Sequence, residues 1–289
     1  MIKKAVIPAA GRGTRMLPAT KETPKEMLPI FGAGRKAEVC VKPLLQLIFE
    51  QLYETDVREF CFVVGKGKGS IINHFTSDGD ILESLNSKGN RDIAQELAGF
   101  YEKLQAVSVN FVSQPEAKGF GDAVLRAEPF INESFVVHAG DSLILSKGNA
   151  HLSRMSDVHE RYESDATFLV QEVDDAKPFG VIEGTEIEAG VYSVSNVVEK
   201  PENPPTNLAI TALYIFTPAI FTALKSVSEG IGGELQLTDG IQKLIENGSN
   251  VSAVRLDDDE YWLDIGKPYS YWEALKRSWI LVQEKDREE

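Results

Sequence analysis

Lys3-Lys4-Ala5-Val6-Ile7-Pro8-Ala9-Ala10-Gly11-Arg12-Gly13-Thr14-Arg15 is the stretch on which the fold turns. Residues 3–8 read as a short apolar strand, and the residues after it as a tight glycine loop. Small glycines let backbone N–H groups approach phosphate oxygens, and a helix start behind them adds partial positive charge. The loop is not the dinucleotide fingerprint, because Met16 stands at the third glycine position. Nor is it a Walker A loop, because no Gly-Lys-Ser/Thr closes it. Alone, it is almost as readily a structural turn. The next residues strengthen it: Pro18, Pro24 and Pro29 restrict the following segment and so hold Arg15 and Lys25 in a limited geometry.

Outward from this loop, strands and helices alternate. A helix is expected over 42–53, where Leu44, Leu45, Ile48, Phe49 and Leu52 fall at helical spacing. Glu59–Val64 reads as a buried strand, followed by a turn over 65–70, with Ser70 capping a helix from Ile71. Within that turn, Gly65-Lys66-Gly67-Lys68-Gly69 reads as mobile. Strands over 107–112 and 134–139 flank a helix over 121–127. This βαβα order through residue 140 implies a mainly parallel sheet with helices on both faces. A helix over 151–162 and a strand over 166–173 follow. Strands at 180–182, 191–198 and Leu208–Phe216 then come at closer spacing, and helices at 218–225 and 237–247 after them. Trp272, Leu275, Trp279 and Val282 step by three and four along a last helix and form one apolar face, core or subunit interface. Residues 86–102 are polar and read as a surface helix or a mobile insertion.

The chain has 289 residues, 43% of them hydrophobic, ordinary for a globular protein able to bury a core without disulfides. Its net charge of −14 argues against general nucleic-acid binding, which needs a basic surface. Yet residues 1–36 hold eight basic side chains against Glu22 and Glu26, +6 in all, leaving −20 for the rest. A basic segment in an acidic chain points to a local anion site. Cys40 and Cys61 have no metal spacing, and His74, His138, His151 and His159 have neither metal nor triad spacing, so these histidines read as structural or surface groups. No apolar run is long enough for a membrane helix, and the first residues run straight into a strand with no room for a signal peptide. A cytoplasmic protein with no membrane partner is therefore expected.

The run from Ala9 through Pro29, with its glycine loop, Arg15 and Pro24-Lys25, resembles the signature of the sugar-1-phosphate nucleotidylyltransferases. The form Lys25-Glu26-Met27-Leu28-Pro29 is most similar to their bacterial-type UTP–glucose-1-phosphate uridylyltransferase branch. Further matches follow in order: Ala117-Lys118-Gly119-Phe120-Gly121-Asp122-Ala123, Gly140-Asp141, Phe179-Gly180-Val181, Val198-Glu199-Lys200-Pro201, Asn207-Leu208-Ala209-Ile210, Gly233-Glu234-Leu235-Gln236-Leu237-Thr238-Asp239, and Asp264-Ile265-Gly266-Lys267. The resemblance covers nearly the whole chain. It implies an α/β fold: a Rossmann-like, mainly parallel sheet flanked by helices, with an appended β-rich sugar-binding subregion and a C-terminal helix. The expected organisation is one nucleotidyltransferase domain over 1–289. Residues 1–150 would mainly bind nucleotide, and 151–289 would mainly bind sugar and carry the C-terminal helices.

The same resemblance implies the chemistry: UTP and glucose 1-phosphate as substrates, UDP-glucose and pyrophosphate as products, Mg²⁺ as cofactor, and a homodimer or homotetramer. Arg15, Lys25 and Asp141 are the expected catalytic residues. Ala10, Gly11, Gly13, Thr14, Arg15, Glu26, Gln114 and Gly119 are expected to bind the nucleotide. In that set the Gln114 amide faces the base edge, Gly119 lets the base lie against backbone, and Glu26 contacts the nucleoside. Gly180, Glu199 and Lys200 are expected at the sugar phosphate, although a Glu-Lys pair alone is as well a surface ion pair. Asp141 sits where a parallel strand ends, the side on which ligands bind. With Asp264 it would supply hard oxygen ligands to the metal, although either aspartate alone is as well a turn or cap residue.

Two departures stand out. Residues 32–41 look like an insertion peripheral to the chemistry. Trp262-Leu263-Asp264 resembles the thymidylyltransferase branch, which leaves dTTP open as the nucleotide. A non-catalytic subunit that binds a nucleotide sugar is the alternative outside enzymes.

Overall fold

The computed structural model describes residues 2–34 and 39–288. In chain order the elements begin β1 (Lys4–Ala9), β2 (Pro29–Ala33), β3 (Val39–Pro43), α1 (Leu44–Glu54), β4 (Glu59–Val64), α2 (Gly69–His74), α3 (Gly79–Ser87), α4 (Arg91–Gln105), β5 (Ser108–Ser113), α5 (Phe120–Leu125) and β6 (Phe135–His138). They continue with β7 (Ser142–Leu145), α6 (Ala150–Arg161), β8 (Ala166–Glu172), β9 (Gly180–Glu188), β10 (Val191–Glu199), β11 (Leu208–Phe216), α7 (Ala219–Ser226), α8 (Leu237–Glu246), β12 (Val251–Arg255), β13 (Tyr261–Asp264) and α9 (Pro268–Glu288).

One sheet of nine strands runs through both halves of the chain, in the order β5-β4-β1-β6-β11-β8-β12-β10-β9. β5, β4, β1 and β6 are mutually parallel. Of the remaining strands only β11 and β10 run against them. The fold is therefore α/β with a mainly parallel sheet, and its β-rich half extends that sheet rather than forming another. Parallel strands covered on both faces read as continuous apolar runs, which is why Ala5-Val6-Ile7 and Phe60-Cys61-Phe62-Val63 are wholly buried. Side-chain alternation splits them between two cores. Ala5, Ile7 and Ala9 join Leu45, Ile48 and Phe49 of α1 on one face. Val6 joins Phe135, Phe221 of α7 and Ile241 of α8 on the other. Among the described residues, no helix is long and apolar enough to cross a membrane.

Several expectations are corrected. Of the two readings of residues 86–102 the helix holds and the mobile insertion does not: they fall mostly in α4, whose Ala94, Phe100, Tyr101 and Leu104 are buried. The segment reads as polar because only part of that helix faces the core. Phe100 is 2% exposed and meets the rings of Phe49 and Phe75 at 5.9 and 5.7 Å. The first helix starts at Leu44, not at 42, because Lys42 and Pro43 close the β2–β3 ladder and Pro43 is extended. Ser70 caps nothing: α2 starts at Gly69, two residues before the expected Ile71, with Lys68 at its N-cap. Of the expected insertion over 32–41, residues 35–38 lie outside the described residues, and the rest forms antiparallel hairpin arms. α9 pins those arms: Tyr271 donates to the Pro29 carbonyl at 2.8 Å, and Trp279 meets Phe31 edge-on at 4.9 Å.

The expected apolar face of α9 is divided: Leu275 packs against the core and Val282 is buried, while the two tryptophans stay more open. Ala274, Ser278 and Val282 are buried, whereas Trp272 and Trp279 are 53% and 40% exposed. Ala274 and Ser278, which the four-residue pattern did not include, complete the buried side, and Ser278 Oγ accepts from the Phe31 N–H at 3.4 Å. The histidines are structural: burial holds His138 down to about 4 and His151 to about 3, so both are neutral.

The packing of α4 is directly testable. Phe100→Ala should cost about 3–5 kcal/mol in chemical denaturation, as a large-to-small change in a packed core does. Ile93→Ala, on the exposed side of the same helix, should stay within about 0.5 kcal/mol. Equal, small effects at both positions would restore the picture of a loosely attached insertion.

Candidate active site

Loops at the carboxyl ends of β1 and β6 open onto a cleft of about 490 Å³. β1 hands the chain to the loop Ala10-Gly11-Arg12-Gly13-Thr14-Arg15, all of which line the cleft. Gly13 turns the loop in the left-handed region, with φ +64°, and Thr20 Oγ1 donates to its carbonyl at 2.7 Å. A short 3-10 turn over Lys25–Met27, entered through Pro24, presents Lys25 and Glu26 to the same cleft.

Asp141 arrives from the other side. Gly140 N–H donates to the Pro8 carbonyl at 3.0 Å, so the end of β6 stays beside the end of β1. A side chain at Gly140 would meet that carbonyl at 3.0 Å and Glu26 Cγ at 3.2 Å, and only glycine leaves room. Asp141 then forms an ion pair with Lys25. Burial works against charge on both partners, and their mutual attraction outweighs it. Asp141 is held below the usual carboxylate range and Lys25 above the usual amine range.

Asp264 comes from β13, which pairs antiparallel with β7 and places Asp264 opposite Ser142. Ile265 N–H donates to the Asp141 carbonyl at 2.9 Å. The two aspartates are thus carried side by side by one short ladder. Burial raises the Asp264 pKa, and the negative charge of Asp141 raises it further. Arg15 reaches the same place: a Cβ at Gly266 would lie 3.0 Å from the Asp264 carboxylate and 3.4 Å from the Arg15 guanidinium.

Two hard carboxylates that repel each other fit a divalent cation whose remaining oxygen ligands are phosphate and water. Among the described residues, no group of three or more His, Cys, Asp or Glu side chains is placed to hold a metal. A cation at this place would find no third such side chain beside the pair among the described residues.

The far end of the cleft carries Gly180, Glu199 and Lys200. Gly180 faces Glu199 across the β9–β10 ladder. Thr238 Oγ1 donates to Glu199 Oε2 at 2.7 Å, and Lys200 Nζ pairs with Glu199 Oε1 at 2.6 Å. The left-handed backbone of Lys200, φ +44°, folds its side chain back onto its neighbour. Trp262 packs edge-on against Phe179 and donates to Ser142 Oγ at 2.6 Å. The Trp-Leu-Asp form therefore belongs to the Gly180 side of the cleft, not to the Gln114 loop.

Gln114 and Gly119 line the near end. Gln114 Nε2 donates to the Gly119 carbonyl at 3.0 Å and to Asp122 Oδ2 at 2.7 Å, while Arg126 grips Asp122 from behind at 2.8 Å. The amide nitrogen is thereby engaged and the amide oxygen is left for a ligand. Gly119 has φ +103°, and a Cβ there would lie 2.5 Å from the Leu235 carbonyl. The glycine is thus required by backbone approach as well.

Every site residue expected from the sequence lines this one cleft. Sequence reasoning gave Thr238 and Asp122 no role beyond their motifs and tied Trp262 to base preference. It also misread Lys68, which is no part of a mobile turn. Lys68 is 7% exposed and pairs with Glu26, 2% exposed, at 2.6 Å. Its glycine-rich surroundings look like loop, and its partner lies far off in sequence.

The Nucleotidyl transferase family profile matches residues 4–278. A UTP–glucose-1-phosphate uridylyltransferase of Streptococcus pyogenes is 37% identical over 279 residues, 93% of this chain and 86% of its own length. The crystal structure of a UDP-glucose pyrophosphorylase complexed with UDP-glucose superposes with a TM-score of 0.82 at 33% identity, covering 96% of this chain and 99% of that one. UTP-bound UGPase from Acinetobacter baumannii gives a TM-score of 0.82 at 29% identity, over 96% of this chain and 93% of its own. Enzymes of this kind generally use a divalent metal. With its profile matched almost end to end and its cleft built from the ordered motifs, this chain belongs to the nucleotidyl transferase family.

Proposed function

We propose that the chain transfers UMP from UTP to α-D-glucose 1-phosphate, giving UDP-glucose and pyrophosphate. One observation carries the reading. The loop after β1, the Lys25–Glu26 turn, Asp141 and Asp264, and the Gly180–Glu199–Lys200 cluster meet around a single cleft. The names of the relatives, UTP–glucose-1-phosphate uridylyltransferase and UDP-glucose pyrophosphorylase, support both substrates.

The sugar phosphate is already anionic near neutral pH, so its oxygen needs no strong general base. It attacks the α-phosphorus in line, the new P–O bond forms, and the bond to pyrophosphate breaks. The chain's own residues then position the reactants and neutralise charge. Backbone N–H groups of Ala10, Gly11, Gly13 and Thr14 cradle the triphosphate, with Arg15 above them. Lys25 and Lys200 orient the reacting phosphates. Glu199 accepts from sugar hydroxyls, and Gly180 leaves room for the ring. The Gln114 loop takes the base. Mg²⁺, held by Asp141 and Asp264, would neutralise the phosphate oxygens when bound. Both substrates are multiply charged and do not cross lipid, so the proposal puts the protein in the cytoplasm with them. A homodimer or homotetramer belongs to the same reading and is checked by sedimentation of the purified chain.

A pyrophosphate-release screen crossing four nucleotides with several sugar 1-phosphates tests the function. UTP with glucose 1-phosphate should turn over fastest. dTTP differs from UTP by the 5-methyl group and by the missing 2′-hydroxyl; one extra methyl group in a pocket alone discriminates by about 10- to 200-fold, so dTTP should be used weakly. A kcat/KM for dTTP equal to that for UTP overturns the uridylyl assignment, and no turnover with any pair favours a binding subunit.

The aspartates give a second test. Asp141→Asn and Asp264→Asn should each lower turnover by about 10²–10³, as loss of one preorganised electrostatic group does. The double variant should lose little more, because both act through one metal. Stability should move the other way for Asp264. Its pKa is raised in the fold, so the charged form opposes folding and stability is lost as pH rises through that pKa. Asp264→Asn should therefore melt above the wild type at neutral pH without ligand. The gap should close as pH falls and the wild-type carboxyl takes up its proton. Cap roles on separate elements instead give lower melting temperatures with near-normal rates. Undiminished wild-type rates after EDTA treatment would sink the metal role.

A further inference from the structure

The Glu26–Lys68 pair is a feature of the cleft that the reaction above leaves without a function. Lys68 ends the loop after β4 and stands at the N-cap of α2, whereas Glu26 belongs to the short turn that also carries Lys25. Both are nearly sealed from solvent, and Lys68 Nζ donates to Glu26 Oε2 at 2.6 Å. Among the described residues, Lys68 is the hydrogen-bond partner of this carboxylate, and Glu26 Oε1 has none. The charges facing Glu26 are Lys68, Lys25 and Asp141, and Lys25 is already engaged by Asp141. Without Lys68, then, Glu26 would be a buried carboxyl with no dedicated counter-ion, and such groups take up a proton and turn.

The backbone is shaped to bring the two together. A Cβ at Gly65 would lie 2.7 Å from the Ala10 carbonyl, so only glycine lets the loop after β4 press against the loop after β1. The pair also sits between two binding elements. Glu26 lines the main cleft beside Gly11. Lys68 lines an adjoining cavity of about 280 Å³ together with Ala10, Arg12 and Gln114. Ala10, Arg12 and Gln114 border both spaces. On one side is the loop assigned to phosphate, on the other the loop assigned to the base. In a nucleotide, the group joining base to phosphate is the ribose. Burial pushes the Glu26 pKa above the usual carboxylate range, and Lys68 is the main group that pulls it back; in its ionised form the carboxylate is acceptor-only, so the partner it fits there is a hydroxyl.

We infer that Lys68 is a positioning residue for nucleotide selection: it holds the Glu26 carboxylate aimed at the ribose hydroxyls, and the pair together makes the site prefer ribonucleotides to 2′-deoxyribonucleotides. The inference rests on the nucleotide-binding reading above and extends it to a side chain outside the motif that binds. A 2′-deoxyribose leaves the aimed oxygen without its donor, and a hydrogen bond to a charged group is worth about 10- to 100-fold.

The test measures kcat, KM and calorimetric affinity for UTP and for 2′-deoxy-UTP in the wild type, Lys68→Met, Lys68→Arg, Lys68→Gln and Glu26→Gln. The wild type should favour UTP by about 10- to 100-fold. Lys68→Met and Glu26→Gln should each remove most of that preference, chiefly by raising KM for UTP far more than that for 2′-deoxy-UTP. The double variant should lose no more than either single one. Lys68→Arg, which keeps the charge, should recover most of the preference. A merely structural lysine would lower the melting temperature and slow both nucleotides alike, which overturns the inference. So does a multiplicative loss in the double variant. If Lys68→Met does not fold, Lys68→Gln, which keeps a donor without the charge, decides the matter by the same ratio. A wild type that turns over UTP while the Lys68 variants keep the ribose preference sinks the inference alone. A wild type without turnover sinks the catalytic reading, and the ratio of the two binding affinities still decides for or against the pair.

Discussion

The ion pair between Lys25 and Asp141 joins the turn beyond β1 to the loop beyond β6, and the rest of the site is arranged about it. β1 and β6 are parallel neighbours, so their carboxyl ends open at the same edge of the sheet. A parallel sheet offers such an edge to ligands because the chain leaves each strand there to form a loop. The Gly140–Pro8 hydrogen bond keeps the two loops adjacent, and the pair then brings a cation and an anion into the cleft without net charge. Removing either member would leave the other partly buried and alone, which costs far more than the pair itself contributes.

Electrostatics in the cleft are local rather than global. The chain as a whole is acidic, a poor starting point for binding triphosphate and sugar phosphate. Basic groups are concentrated at the end of β1, where Arg12, Arg15 and Lys25 line the cleft. Low-dielectric walls make such groups effective at short range, while the remaining negative charge is screened within roughly 8–10 Å at ordinary salt. Asp264 works against stability, since its charge is opposed by burial and by Asp141. Two like charges held together by a β-ladder are a poor arrangement for an empty fold and a good one for a cation. Such strain is characteristic of sites kept for function.

The hairpin of β2 and β3 and the ladder of β7 and β13 show how elements outside the main sheet serve it. The first is clamped by α9 through Tyr271 and Trp279. The second exists to deliver Asp264 beside Asp141. Neither could stand alone, because a two-stranded ribbon is marginal in water without something to pack on. Both lean on the core formed by α1 and the central strands.

Local chemistry was legible in the sequence where one segment carries both the signal and its meaning. The alternation of apolar strands with amphipathic helices gave the α/β class, since burial on both faces writes continuous apolar runs into parallel strands. The glycine loop, the prolines behind it and the ordered short motifs marked out the residues that line the cleft. What sequence could not supply was any relation between distant side chains. Lys68 reads as loop because its neighbours are glycines, and only folding sets it against Glu26. Asp264 was paired with Asp141 only through the family resemblance, and the pairing of β13 with β7 is what sets the two side by side. The buried side of α9 was only partly legible, because Ala274 and Ser278 are small and carry little hydrophobic signal. The tertiary structure decided these points for one reason: ion pairing, like-charge repulsion and close packing fall off over a few ångströms, and chain separation does not measure that distance.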